Sequence, residues 1–166
     1  KVSQLVLVMT VFGQGDETRV RKYEKTLKQW GHSELVAHFP RKLPADARDA
    51  HFRARPAFLQ GGAVIQLRYT TSPEQIARLD AEFRAIKTAS FFGGDSSDHR
   101  KRSGGIRTTH FYTSGSDDHE FPDDYEIMLF GDRSSPSSGS SWNHGRTCGV
   151  AISKQRNTIV YWAESW

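Results

Sequence analysis

Residues 148–164 read CGVAISKQRNTIVYWAE, two runs of small, β-branched and aromatic residues separated by Lys-Gln-Arg. Strand formers on both sides of so short a polar break specify an antiparallel hairpin. An apolar hairpin is marginal alone in water and needs further strands or a helix to cover it. This feature sets the fold class: a sheet of antiparallel neighbours with something packed on it.

Other segments supply both. AVIQLRYT (63–70) alternates Ile65, Leu67 and Tyr69 with Gln66, Arg68 and Thr70, the pattern of a strand with one dry and one wet face. ELVAHF (34–39), AHFRAR (50–55), RTTHFYT (107–113) and YEIMLF (125–130) are expected to be strands on similar grounds. PAFLQGG (56–62) breaks the chain as the turn of a hairpin. Two stretches have helical spacing. DETRVRKYEKTLKQWG places Val20, Tyr23, Leu27 and Trp30 on one stripe, with Asp16 expected to cap its start and Gly31 its end. SPEQIARLDAEFRAIK places Ile76, Leu79, Phe83 and Ile86 on another, with Ser72 and Gln75 at capping-box spacing and Pro73 at the first helical position. The fold expected is a single α+β domain over residues 1–166, a mostly antiparallel sheet with two amphipathic helices packed on one face.

Charge narrows the function classes. Residues 1–60 carry 11 basic and 6 acidic side chains, residues 61–112 carry 8 and 5, and residues 113–166 carry 4 and 8, which gives the net charge of +4. A dipolar chain with so small an excess lacks the dense basic patch of a dedicated nucleic-acid binder. Aromatics at 11% supply enough large core residues to exclude a disordered chain. A single cysteine makes no internal disulfide, which leaves both cytoplasmic and exported or surface-attached locations open. The apolar run from Leu5 to Phe12 falls far short of the about 20 residues of a membrane-spanning helix and reads as a strand. Residues 1–15 are where an upstream signal or anchor would join.

Two segments read as long loops: GGDSSDHRKRSGG (93–105) and the serine-rich GDRSSPSSGSSWNHG (131–145). Loops of this length are uncommon in a compact domain and are either functional or mobile. The second leads from Trp142, Asn143 and His144 through Arg146 to Cys148. An aromatic platform, an amide and an imidazole in succession suit a polar or sugar-like ligand, by stacking and hydrogen bonding. Arg100 and Arg102 in the first loop, with Arg146, would contact an anion. Cys148 with His144 as its base is the one nucleophile candidate, set against a structural cysteine buried ahead of Gly-Val-Ala-Ile. Asp117, Asp118 and His119 in SGSDDHEFPDD are oxygen and nitrogen donors for a metal, but their spacing departs from the EF-hand pattern, and a solvated loop explains them as well. No Gly-x-Ser-x-Gly elbow, His-Glu-x-x-His pair, P-loop or dinucleotide fingerprint occurs, and no cofactor is expected. Glu34, Glu126 and Glu164 are further carboxylates whose pairing depends on the fold.

LVAHFP (35–40), PAFLQGGAVIQLR (56–68) and WNHGRTCGVAISKQRNTIVYWAE (142–164) together resemble an uncharacterised group of bacterial proteins. That group carries a similar His-Phe-Pro, a Phe-Leu-Gln-Gly-Gly and a closing Trp-Asn-His-Gly segment, and the likeness covers residues 20–164. The resemblance implies a bacterial source and assigns no catalytic residue. On the residues alone, His38, Phe39 and Pro40 are expected to end a strand and force an extended exit. The functional expectation is a non-catalytic binding or interaction module, using the 93–105 and 131–145 loops on a polar or anionic ligand or a protein partner. A hydrolase with a Cys148/His144 site is the alternative, and a nucleic-acid-binding protein the second alternative.

Overall fold

A computed structural model describes residues 15–30, 33–57, 62–94, 109–115, 120–137 and 140–165, without the side chains of residues 33, 132–137 and 140–144. One six-stranded antiparallel sheet organises the chain. Its strands are β1 (Arg48–Arg55), β2 (Ala63–Thr70), β3 (Ala89–Phe92), β4 (Glu126–Ser137), β5 (Ser140–Ser153) and β6 (Thr158–Ser165), in the spatial order β1-β2-β6-β5-β4-β3. The hairpin that opened the sequence argument is its centre. β5 and β6 pair from Arg146↔Ser165 to Ser153↔Thr158, and β2 adds to β6 from Ala63↔Ser165 to Thr70↔Thr158. The reversal between β5 and β6 takes Asn157 to φ 51°, a left-handed angle that asparagine tolerates better than most side chains.

Helices α1 (Tyr23–Gln29, entered through a 3₁₀ turn at Val20–Lys22) and α2 (Pro73–Ile86) pack on one face of this sheet. α2 follows its sequence signals closely. The Ser72 hydroxyl accepts from the Gln75 N–H at 3.2 Å, Pro73 opens the first turn, and Ile76, Leu79 and Phe83 are buried. Ile86, expected on the same stripe, is 55% exposed because the helix ends beyond the sheet's cover. Ion pairs hold α2 in place: Asp80 takes Arg84 and Lys154, while Glu126 of β4 takes Arg84 and Lys87. Among the described residues no helix is long and apolar enough to cross a membrane.

Four local expectations need correction. Asp16 caps nothing; its carboxylate is held by Arg53 and Arg55 of β1, which brings the preceding chain alongside the sheet edge at the Glu17↔Ala54 bridge. Gly31 lies outside the described residues; α1 ends at Gln29, with Trp30 as its C-cap. ELVAHF is no strand. It folds as a 3₁₀ turn, Ser33–Val36, followed by a bend closed by the Phe39 N–H on the Val36 carbonyl at 3.0 Å. Its buried residues Leu35, Val36 and Phe39 fall at helical spacing, which sets them all on the core side. His38-Phe39-Pro40 therefore ends no strand, and the Pro40 carbonyl instead accepts the Tyr23 hydroxyl. Residues 109–113 of RTTHFYT also form no strand but part of a loop, while 107–108 lie outside the described residues.

The serine-rich stretch is the largest difference. It is not a loop over 131–145: β4 and β5 continue through it, pairing Asp132↔Thr147, Ser134↔Gly145, Ser135↔His144 and Ser137↔Ser140. Ladder bonds come from the main chain, so a segment without apolar alternation still pairs once its neighbour is fixed in register. Of the 93–105 loop only Gly93 and Gly94 are described, and the Leu5–Phe12 run lies outside the described residues.

At its centre the sheet is dry on both faces. Opposite the helices, the segment from Thr109 to Tyr125, described at 109–115 and 120–125, straps across the strands and buries Phe111 and Phe121 against Tyr125, Ile127, Leu129, Val160 and Trp162. β2's expected wet face is closed at its middle: Gln66 is fully buried. Its amide Nε2 donates to the His110 carbonyl at 2.9 Å, and its Oε1 accepts from the Thr113 N–H at 3.0 Å and hydroxyl at 3.1 Å. Close approach anchors the far end of the strap: Gly93 donates to the Tyr125 carbonyl at 2.9 Å, and a Cβ at position 93 would meet the Pro122 carbonyl oxygen at 2.0 Å.

Candidate functional site

On the helix-covered face, packing is incomplete. A 3₁₀ turn and an irregular segment meet α2 over the sheet without interdigitating fully, and a cavity of about 1050 Å³ opens between them. Its floor is Tyr161 of β6, Tyr69 of β2 and Cys148 of β5, with Gly131 and Phe130 of β4 at one end. Phe39 and His38 form one wall, and Leu79 and Phe83 of α2 form the other. Charged and polar groups stand at the rim: Glu34 and Arg146 on one side, Gln75, Arg78 and Glu82 along α2 on the other. A large concave site with an aromatic lining and a few polar groups is the ordinary form of a small-molecule site.

The aromatic lining is a continuous cluster. His38 stacks near Tyr161 with ring centres 6.2 Å apart and meets Phe130 edge-on at 5.0 Å. Phe39, Tyr69 and Phe83 each approach Tyr161 within 5.6–5.9 Å. The hydroxyls of Tyr69 and Tyr161 hydrogen-bond at 3.2 Å, one donating to the other within an otherwise apolar floor.

Burial tunes His38, Cys148 and the two tyrosines of the cavity away from reactivity. Burial lowers the His38 pKa to about 4, against smaller opposing effects of the carbonyls of Gly149, at 2.9 Å from Nε2, and Trp162. Its nitrogens are turned inward, while part of the residue still borders the cavity. Such an imidazole is neutral at physiological pH and too weak a base for efficient proton abstraction. Burial, reinforced by the Glu34 carboxylate, raises the Cys148 thiol to about 11; the Gly131 N–H opposes this weakly. A thiol protonated at neutral pH is not a nucleophile. Burial also raises both phenols, Tyr69 and Tyr161.

Of the candidate site residues read from the sequence, the structure brings Cys148, Arg146 and the carboxylate Glu34 to this cavity. Cys148 lines it with only 6% of its surface exposed, packed with Val150, Ile152 and Ala163 in the core cluster. Arg146 lines it too, but its guanidinium is paired with Glu34 at 2.5 Å, so its charge is already offset. Trp142, Asn143 and His144 sit on β5 upstream of Arg146; their side chains lie outside the description. Arg100, Arg102, Asp117, Asp118 and His119 lie outside the described residues altogether. Among the described residues no three His, Cys, Asp or Glu side chains gather where a metal ion could sit.

The three carboxylates separate. Glu34 stands at the cavity rim, Glu126 serves the α2 ion pairs, and buried Glu164 lies on the opposite face, where the Tyr112 hydroxyl donates to it at 2.7 Å. No two form the close pair that acid–base catalysis on a glycoside needs. Sequence reasoning missed His38, Phe39, Tyr69, Phe83 and Tyr161 as cavity residues. One signal was available: the helical spacing of Leu35, Val36 and Phe39 places a histidine amid core positions.

Comparison with known proteins yields no match to a family model, a curated protein or a solved structure.

Proposed function

We propose that this protein is a non-catalytic binding module whose ligand, a small molecule with a substantial apolar body, occupies the cavity between α2 and the 34–44 segment. One observation carries the reading: a cavity of about 1050 Å³ walled by aromatic rings, in which the imidazole of His38 and the thiol of Cys148 are both neutral at physiological pH while the charged groups stand at its rim. Apolar walls favour burial of an apolar body at roughly 25 cal/mol per Å² removed from water, before the losses of association are counted. The expected serine-rich recognition loop is replaced in this reading by its neighbour, since Arg146 at the base of that hairpin borders the cavity.

The test uses Nile red, a neutral dye that brightens in apolar surroundings. The protein should bind it at one saturable site. Gly131 offers a way to fill that site, because a Cβ at this position meets nothing within 4 Å. Gly131→Phe should weaken dye binding at least about tenfold while the protein still melts cooperatively. Undiminished binding by a folded Gly131→Phe variant sinks the proposal. In the same protein Cys148 should react with iodoacetamide only as fast as unfolding exposes it.

A further inference from the structure

Ion pairs sort the charges of this chain by position. Arg53, Arg84, Lys87, Arg146, Lys154 and Arg156 are each held by a carboxylate. Of the described lysines and arginines that meet no carboxylate of a described residue, all but Arg78 fall between residues 21 and 48. Arg21, Lys22, Lys25 and Lys28 stand on the 3₁₀ turn and α1, where Glu24 is the single acid. Lys22 acts on Glu17 from beyond contact distance. Tyr23 turns into the core, edge-on to Phe52 at 5.5 Å, with Val20, Leu27 and Trp30 half-buried beside it. Arg21, Lys25 and Lys28 are exposed on the other side of the helix, in a row about 10 Å long at about 1.5 Å per residue. The Tyr23 hydroxyl donates to the Pro40 carbonyl, which brings exposed Arg41 and Lys42 to the flank of the same helix. Acids near this surface are engaged elsewhere: Glu17 with Arg19, Glu34 with Arg146, and Asp46 with the Thr71 hydroxyl at 2.5 Å. Like charges three and four residues apart repel, so the row weakens the helix that carries it.

We infer that this row contacts the phosphate backbone of a nucleic-acid duplex. Phosphates follow one another about every 3.4 Å of axis along each strand, so a row of this length meets several. Single strands are gripped by aromatic side chains on which bases stack, and membranes are entered by apolar ones. Among the described residues the exposed large hydrophobic side chains are Ile86 and Phe92, neither of them on α1. Contacts to phosphate alone carry no base information, so the binding is independent of sequence. The small net charge conceals the row because carboxylates elsewhere are matched to other arginines and lysines. No residue of α1 lines the cavity, and the inference stands apart from the ligand proposed for it.

Fluorescence anisotropy with a labelled duplex of about 20 base pairs, over a salt series rising from about 50 mM, tests the inference. The logarithm of the affinity should fall against the logarithm of salt with a slope of about −4, as four or five neutralised phosphates require. The triple variant Arg21→Gln/Lys25→Gln/Lys28→Gln should melt no lower than wild type, bind at least about tenfold more weakly at the lowest salt, and flatten the slope to about −1 to −2. Lys25→Gln should weaken binding, whereas Lys154→Gln, which removes the same charge from a pair with Asp80, should leave it unchanged. Absence of duplex binding at the lowest salt, a slope unmoved in the triple variant, or equal losses in the two single variants overturns the inference. Tighter binding to a single strand of equal length overturns the duplex assignment. Tighter binding to vesicles with about one-third phosphatidylserine, at matched salt and phosphate concentration, overturns it in favour of a membrane surface.

Discussion

The two faces of the sheet are closed in different ways. On the strap-covered face, the described part of a loop lies directly on the strands, held by apolar rings and by side chains that bond its backbone. Gln66 holds two strap residues at once, and Gly149 lets the Trp162 ring lie flat on β5, since a Cβ there would meet the Met128 carbonyl oxygen at 2.0 Å and the indole at 2.9 Å. On the helix-covered face, α2 and the 34–44 segment are rigid cylinders and turns bridged by large rings, and a volume remains between them. A loop conforms to a surface; helices meet it along lines. The helix-covered face accordingly holds a cavity of about 1050 Å³, against about 550 Å³ where the strap residues Tyr112, Thr113 and Gly115 meet β1.

The comparison predicts unequal costs for the same truncation. Leu129→Ala, fully buried under the strap, should cost about 3–5 kcal/mol, whereas Leu79→Ala, already bordering empty volume, should stay near 2 kcal/mol. Urea denaturation of the two variants checks this, and equal losses would break the distinction between the faces. Gln66→Leu should cost about 2 kcal/mol, because it leaves the buried Thr113 N–H and the His110 carbonyl without their partner. Hydrogen exchange should then rise within the strap before it rises in β5 or β6.

On the helix face, His38 sets a pH dependence. Its folded pKa of about 4 lies below its ordinary value of 6.5, so the unfolded chain takes up a proton that the native protein refuses. Its contribution is full above pH 6.5 and is lost as the pH falls towards 4. Wild type should lose about 1–2 kcal/mol more than His38→Gln between pH 7 and pH 5, followed by chemical denaturation at each pH. Asp16, Asp80, Asp124 and Glu126, all held below the usual carboxylate range by arginine or lysine partners, act lower still. The smallest effect belongs to the rim: Glu34→Gln breaks an exposed pair and should change stability by less than about 1 kcal/mol.

Legibility in the sequence followed the range of the interactions. The α2 start could be read from Ser72, Pro73 and Gln75 because a cap is local. The β5–β6 hairpin could be read because its residues pair with near neighbours in the chain. Gln66 looked like a wet-face residue because the strap that buries it lies more than forty positions away. The stretch 131–145 looked like a loop because its pairing uses main-chain groups that every residue carries. The burial of Cys148 was foreseeable from Gly-Val-Ala-Ile after it, whereas its sharing a cavity with His38 was not.

The chain by itself determined that an antiparallel sheet would form, that α2 would lie on it, and that the lone thiol would turn inward, since periodicity and capping act within a few residues. The tertiary structure decided that the centre of the sheet would be dry on both faces, and that a cavity would separate α2 from the 34–44 segment. Its lining comes from β2, α2, β4, β5, β6 and a 3₁₀ turn, brought together only once the sheet has closed. A cavity is space left over by packing, and the volume between elements is a property of their arrangement, which no single segment encodes.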